Sequence, residues 1–115
     1  MEGSPGYYAG TVINRRWWRR YRKRGFFARG SGKYWFDAEA FCFLRTLTAN
    51  PLCIPYGLIQ QIEVDTTHAG RWIWGRPIVK VLWQEEGQML SSGFAIPHGA
   101  EGTERLIEAL RARLS

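Results

Sequence analysis

Short β-prone runs separated by turn residues dominate the chain from Tyr34 onward. Lys33-Tyr34-Trp35-Phe36-Asp37 and Ala40-Phe41-Cys42-Phe43-Leu44-Arg45-Thr46 predict two strands, with Asp37-Ala38-Glu39 as a tight hairpin between them. Thr48-Ala49-Asn50-Pro51 has turn composition, and Leu52-Cys53-Ile54 is a brief strand stopped by Pro55. Residues 58–67 predict a helical turn followed by a strand. His68 to Pro77 reads as a hairpin loop. Ile78-Val79-Lys80-Val81-Leu82-Trp83 is the clearest strand, turning at Glu85-Glu86-Gly87 into a return strand with Leu90, Phe94 and Ile96 on one side. Leu106, Ile107, Leu110 and Leu114 then form one stripe of an amphipathic helix over residues 101–114, with Glu101 and Glu104 early and Arg111 and Arg113 late, as the macrodipole favours.

The leading third has a different texture. Residues 1–10 are rich in Gly and Pro and are expected to be loose. Ile13, Trp17, Trp18 and Tyr21 fall at helical spacing, which predicts a helix starting at Thr11 or Asn14 and ending near Gly25. The expected organisation is therefore a loose N-terminus (1–10), a basic aromatic helix and turn (11–32), and a mainly β domain (33–115).

Charge sharpens this division. Nine basic residues and no acidic one lie between Asn14 and Lys33; seven basic residues face ten acidic ones elsewhere. The net charge of +6 is thus concentrated in one segment, the footprint of a binder of polyanions. At 115 residues, with 45% hydrophobic residues, the chain fits a single domain with its own core. Cys42 and Cys53, in apolar surroundings, are expected as buried, reduced thiols. The longest uncharged stretch, residues 46–62, contains two prolines, an asparagine and two glutamines, so it does not predict a membrane span.

The succession of antiparallel strands closed by one C-terminal helix resembles the bacterial pleckstrin-homology-like (PH-like, GRAM-type) domains. The residues that carry the resemblance are Leu52-Cys53-Ile54-Pro55-Tyr56 with Ile59, Ile62 and Val64 after them, then Lys80-Val81-Leu82-Trp83, Ser91-Ser92-Gly93-Phe94 and the final helix. The resemblance covers residues 33–114 and implies a PH-like antiparallel β-barrel or sandwich, acting as a lipid-binding or protein-docking module and not as an enzyme. The lipid-binding pattern places Lys and Arg around the first hairpin loop. Here the first clear hairpin, at Asp37-Ala38-Glu39, is acidic, which favours delocalised electrostatics over a specific phosphoinositide pocket.

Two basic aromatic patches are the candidate binding residues: Arg15, Arg16, Trp17, Trp18, Arg19, Arg20, Arg22, Lys23 and Arg24 in the first, and Arg71, Trp72, Trp74 and Arg76 in the second. Trp and Tyr favour the headgroup level of a bilayer and Lys and Arg attract anionic lipid, so the leading expectation is peripheral attachment to an anionic membrane surface, from the cytoplasmic side of the inner membrane. The alternative is a protein-interaction or self-assembly module whose N-terminal helix packs on a partner. Single-stranded nucleic acid, with bases stacked on the indoles, is a weaker third reading. The spacing of His68 and His98 relative to the cysteines matches no zinc pattern, and Gly30-Ser31-Gly32-Lys33 lacks the spacing of a phosphate loop. Ser91 and Ser92, in a strand, lack the turn setting of a nucleophile. No cofactor and no metal is expected.

Overall fold

The computed structural model describes residues 3–14, 16–21, 26, 28–65, 67–68, 71–72, 77–96 and 99–114; for 17, 18, 20, 67, 68, 71, 72, 99 and 100 it describes the backbone alone. Among the described residues, ten strands, a short 3-10 helix (Tyr56–Leu58) and one α-helix form: β1 (Ser4–Ile13), β2 (Arg16–Arg20), β3 (Gly30–Phe36), β4 (Ala40–Arg45), β5 (Leu52–Pro55), β6 (Ile59–Asp65), β7 (Thr67–His68), β8 (Arg71–Trp72), β9 (Ile78–Glu85), β10 (Gln88–Ala95) and α1 (Gly99–Arg111). Seven strands follow one antiparallel path, β5-β4-β3-β1-β10-β9-β6, to which β2 adds by pairing with β1; β7 and β8 make a separate ribbon. The mainly β architecture with a C-terminal helix is the one the apolar pattern predicts.

The N-terminal third departs from expectation. No helix lies over the described residues of 11–25. Val12 and Ile13 continue β1, Asn14 turns the chain with φ 53°, and β2 runs back along β1. Two backbone bonds pin this hairpin: Asn14 N–H donates to the Met89 carbonyl at 2.8 Å and Tyr21 N–H to that of Thr11 at 2.8 Å. The physical reason is twofold. A helix here sets like charges four residues apart, Arg15 with Arg19 and Arg16 with Arg20, which destabilises it. The aromatic and β-branched residues also favour a pleated, half-buried surface. Ser4 to Gly10, expected to be loose, is the start of β1, a strand in the middle of the sheet. The sheet thus begins well before Lys33, and that expected boundary falls inside β3.

One face of the sheet closes on a core. Tyr8, Phe41, Phe43, Leu52, Ile54, Val79, Val81, Trp83, Leu90, Phe94 and Ile96 fill it, and α1 adds Leu106 and Leu110. The period of two is visible in β9 and β10, where alternate residues enter this cluster. β1 breaks the period. A bulge between Tyr8 and Gly10, with Gly10 at φ 100°, brings Tyr8 and Thr11 to the same interior side although they are three positions apart. Cys42 and Cys53 are direct cross-strand partners on β4 and β5, with Cα atoms 4.1 Å apart, and are joined as a disulfide instead of lying as separate thiols. At the β3–β4 turn Asp37 N–H donates to the Ala40 carbonyl, and the Tyr56 hydroxyl donates to the Asp37 carbonyl at 2.7 Å. Desolvation there pushes the Tyr56 hydroxyl above its ordinary pKa, against the opposing pull of Arg113.

Candidate functional site

The basic run occupies the connection between β1 and β3, neighbours in the main sheet. Its ends follow from the register. Tyr21 sits level with Thr11 of β1, and Gly30 pairs with Tyr8. Three residues of strand span about 10 Å. Nine steps of chain join these two points, and of the residues between them Phe26, Ala28 and Arg29 are described.

Aromatic residues hold both arms of the connection. Tyr21 and Phe26 are buried, with ring centroids 5.8 Å apart, and both contact Trp83, at 6.3 and 5.3 Å respectively. Such pairs contribute about 0.5–1.5 kcal/mol each beyond their buried area. The Tyr21 hydroxyl donates to Glu85 Oε2 at 2.8 Å. Between the two anchors lie Arg22, Lys23, Arg24 and Gly25.

A buried relay of hydroxyls ties the second anchor to the core of the sheet. Trp83 Nε1–H donates to Ser92 Oγ at 3.0 Å, Ser92 and Thr11 share a bond of 2.6 Å, Thr11 and Tyr8 one of 2.5 Å, and the Tyr8 hydroxyl donates to the Phe26 carbonyl at 2.6 Å. Proton count sets the direction. Tyr8 has spent its proton on Phe26, so Thr11 donates to Tyr8 and Ser92 donates to Thr11. Each hydroxyl gives one bond and takes one, which is how polar groups survive in this core. Ser92 is thus a structural link and not a nucleophile.

Arg16 and Arg19 are exposed, and Trp17, Trp18 and Arg20 take part in β2. Arg15, Arg22, Lys23 and Arg24 lie outside the described residues. In the second patch, Arg71 and Trp72 form β8, and Trp74 and Arg76 lie outside the described residues. The roots of the two patches sit at opposite ends of the same ladder. Ile13 pairs with Leu90 near the β9–β10 turn, whereas Asp65 and Ile78, which flank the second patch, pair at the far end of β9.

Carboxylates are distributed along the same axis. Glu85 and Glu86 occupy the β9–β10 turn next to the basic connection. Asp37 and Glu39 lie at the β3–β4 turn, Asp65 ends β6, and α1 follows the far end of β10. The connection carries eight basic residues and no acidic one, and the adjoining β9–β10 turn carries two carboxylates, so the positive charge is in excess. Among the described residues no group of three His, Cys, Asp or Glu side chains is placed to hold a metal ion, and no helix is long and apolar enough to cross a membrane.

The sequence patterns did not reveal Phe26, Tyr8 or Glu85 as parts of this site. Phe26 follows a glycine and looks like loop; its role comes from partners distant along the chain, the Tyr8 hydroxyl and the Trp83 ring. The acidic Asp37-Ala38-Glu39 turn is also not the first hairpin of the sheet, because β1 and β2 pair before it. Comparison with curated proteins and with solved structures found no match. A model of one family, described as bacterial PH domain-like, matches residues 1–111, which takes in β1, the basic connection, every later strand and α1. The chain belongs to the bacterial PH domain-like family.

Proposed function

We propose that this PH-like binding module attaches peripherally to anionic membrane surfaces through the connection between β1 and β3. The observation that carries the reading is the charge of this connection: eight cations and no carboxylate between β1 and β3, with the buried aromatics Tyr21 and Phe26 on either side of Arg22, Lys23 and Arg24 in the sequence. Each basic residue near an anionic leaflet contributes about 1 kcal/mol. Even after screening, the eight cations of the connection suffice for reversible attachment. Flotation with vesicles tests this. The protein is expected to float with phosphatidylglycerol-containing vesicles and not with phosphatidylcholine alone, and to come off as salt rises. A variant with Arg22, Lys23 and Arg24 all changed to Gln is expected to lose at least tenfold in partitioning, as about three lost contacts imply. Failure of the native protein to float at low salt rejects the proposal.

One observation favours a second reading, self-assembly. A groove of about 480 Å³ lies between β6 and α1, with Val64, Pro77 and Ile107 in its wall and the exposed Glu104, Glu108 and Arg111 on its rim. Its two carboxylates, against the one opposing charge of Arg111, complement the arginines of a second copy's β1–β2 hairpin. Light scattering distinguishes the two readings: a dimer or larger species that Glu104→Lys with Glu108→Lys dissociates supports assembly, and a concentration-independent monomer removes it.

A further inference from the structure

Leu47 stands apart from every other leucine described in the molecule. It is fully exposed, at 100%, in a backbone conformation with φ 67°. Left-handed backbone is unfavourable for a residue with a Cβ, and glycine or asparagine is the ordinary occupant. The chain thus carries an apolar side chain where neither burial nor local geometry rewards one. A single exposed leucine is unremarkable by itself; strain and complete exposure at one residue are not, because strained positions gather at functional sites.

The surroundings show that the tip is built. It lies in the β4–β5 connection, where Thr46 N–H donates to the Ser31 carbonyl at 2.9 Å, and Thr48 holds the Arg45 carbonyl with both its N–H, at 3.2 Å, and its hydroxyl, at 2.6 Å. Residues 46–51 contain no ionisable side chain, so the tip approaches an apolar phase without desolvating a charge. Its position is beside the cationic connection. Arg45 is paired opposite Gly32, and a Cβ built on Gly30 would lie 3.5 Å from Arg45 Cδ. The Arg45 stem therefore lies against the residue at which the basic connection re-enters the sheet.

We infer that Leu47 is an apolar anchor that enters the headgroup–acyl boundary of an anionic bilayer when the adjoining cations dock on it. The inference rests on the membrane reading given above and adds to it a second, salt-independent component. Cations bring the domain to the surface, and the leucine sets its tilt and slows its departure. Burying a leucine side chain is worth roughly a tenfold change in partitioning, or more.

The test uses the full chain with phosphatidylglycerol/phosphatidylcholine vesicles. Leu47→Ser is expected to lower partitioning about tenfold, by the same factor at low and at high salt, unlike the charge variant. Leu47→Gly is expected to lose the same factor while its thermal midpoint holds or rises, since glycine relieves the backbone strain. Leu47→Cys carrying an environment-sensitive fluorophore is expected to shift blue on binding. If the native protein floats, and the Ser and Gly variants float equally well with no fluorophore shift, the anchor is overturned and the electrostatic reading stands. If the native protein does not float, both fall together.

Discussion

Phe26 is where a single residue decides what the surrounding segment does. Its carbonyl is the terminus of the relay that starts at the Trp83 indole, and its ring packs with Tyr21 and Trp83. Tyr8→Phe removes the last donor of the relay and the acceptor that Thr11 uses. The Phe26 carbonyl loses this bond and the Thr11 hydroxyl keeps only the one it accepts from Ser92, which costs about 1–3 kcal/mol. The expected outcome is a lower denaturant midpoint with unchanged slope. Hydrogen exchange is expected to quicken at Tyr21 and Phe26 more than in β9, because the basic loop loses one of its two ties. Equal acceleration everywhere would show that the relay stabilises the sheet without holding the loop.

At the scale of elements, β4 and β5 illustrate how a pair of residues acquires meaning from register. Cys42 and Cys53 are eleven positions apart and look like two small hydrophobes in separate strands. Only the antiparallel pairing of Phe43 with Leu52, which sets the next rungs, places the two sulfurs together. A cross-link of this span contributes about 2–3 kcal/mol, chiefly by restricting the unfolded chain. Protein unfolded without reductant is therefore expected to expose no maleimide-reactive thiol, and reductant is expected to lower the thermal midpoint by several degrees. Two reactive thiols in unreduced protein would contradict the pairing. β2 is the converse case. Ile13, Trp17 and Tyr21 share a helical face on paper, but the same residues serve a hairpin equally well. The choice was made by the free edge that β1 leaves beyond β3, and by the repulsion among arginines that a helix would stack.

Across the whole molecule, strand order assigns the charge its place. Because β1 is neighbour to both β3 and β10, the basic connection emerges beside the β9–β10 turn, and the second patch begins at the other end of β9. The two patches therefore do not share a root, and an attachment through the first leaves the groove at β6 and α1 directed elsewhere. The two proposed readings therefore predict different outcomes: variants at Arg22 to Arg24 are expected to change vesicle flotation alone under the first, and variants at Glu104 and Glu108 to change the light-scattering mass alone under the second. Most of β3, with β4, β5, β6, β9, β10 and the final helix, was legible in the sequence because apolar residues repeat with strong local periods and turn residues mark their ends; β7 and β8 fall where a hairpin loop was expected, and Gly30 to Gly32, expected as a turn, begin β3. The acidic hairpin at residue 37 was legible too, but its rank among the hairpins was not, since β1 looked like a loose tail.

By itself the sequence determined the class of the fold, the segregation of positive charge into one stretch and the amphipathic closing helix, all of which depend on composition and short-range spacing. Tertiary structure alone decided that Ser4 to Ile13 is a central strand, that Cys42 meets Cys53, and that Phe26 anchors the basic loop. The physical reason is common to the three. Each depends on partners that are distant along the chain, and cross-strand hydrogen bonds and burial outweigh the weak local preferences of glycine-rich or arginine-rich segments.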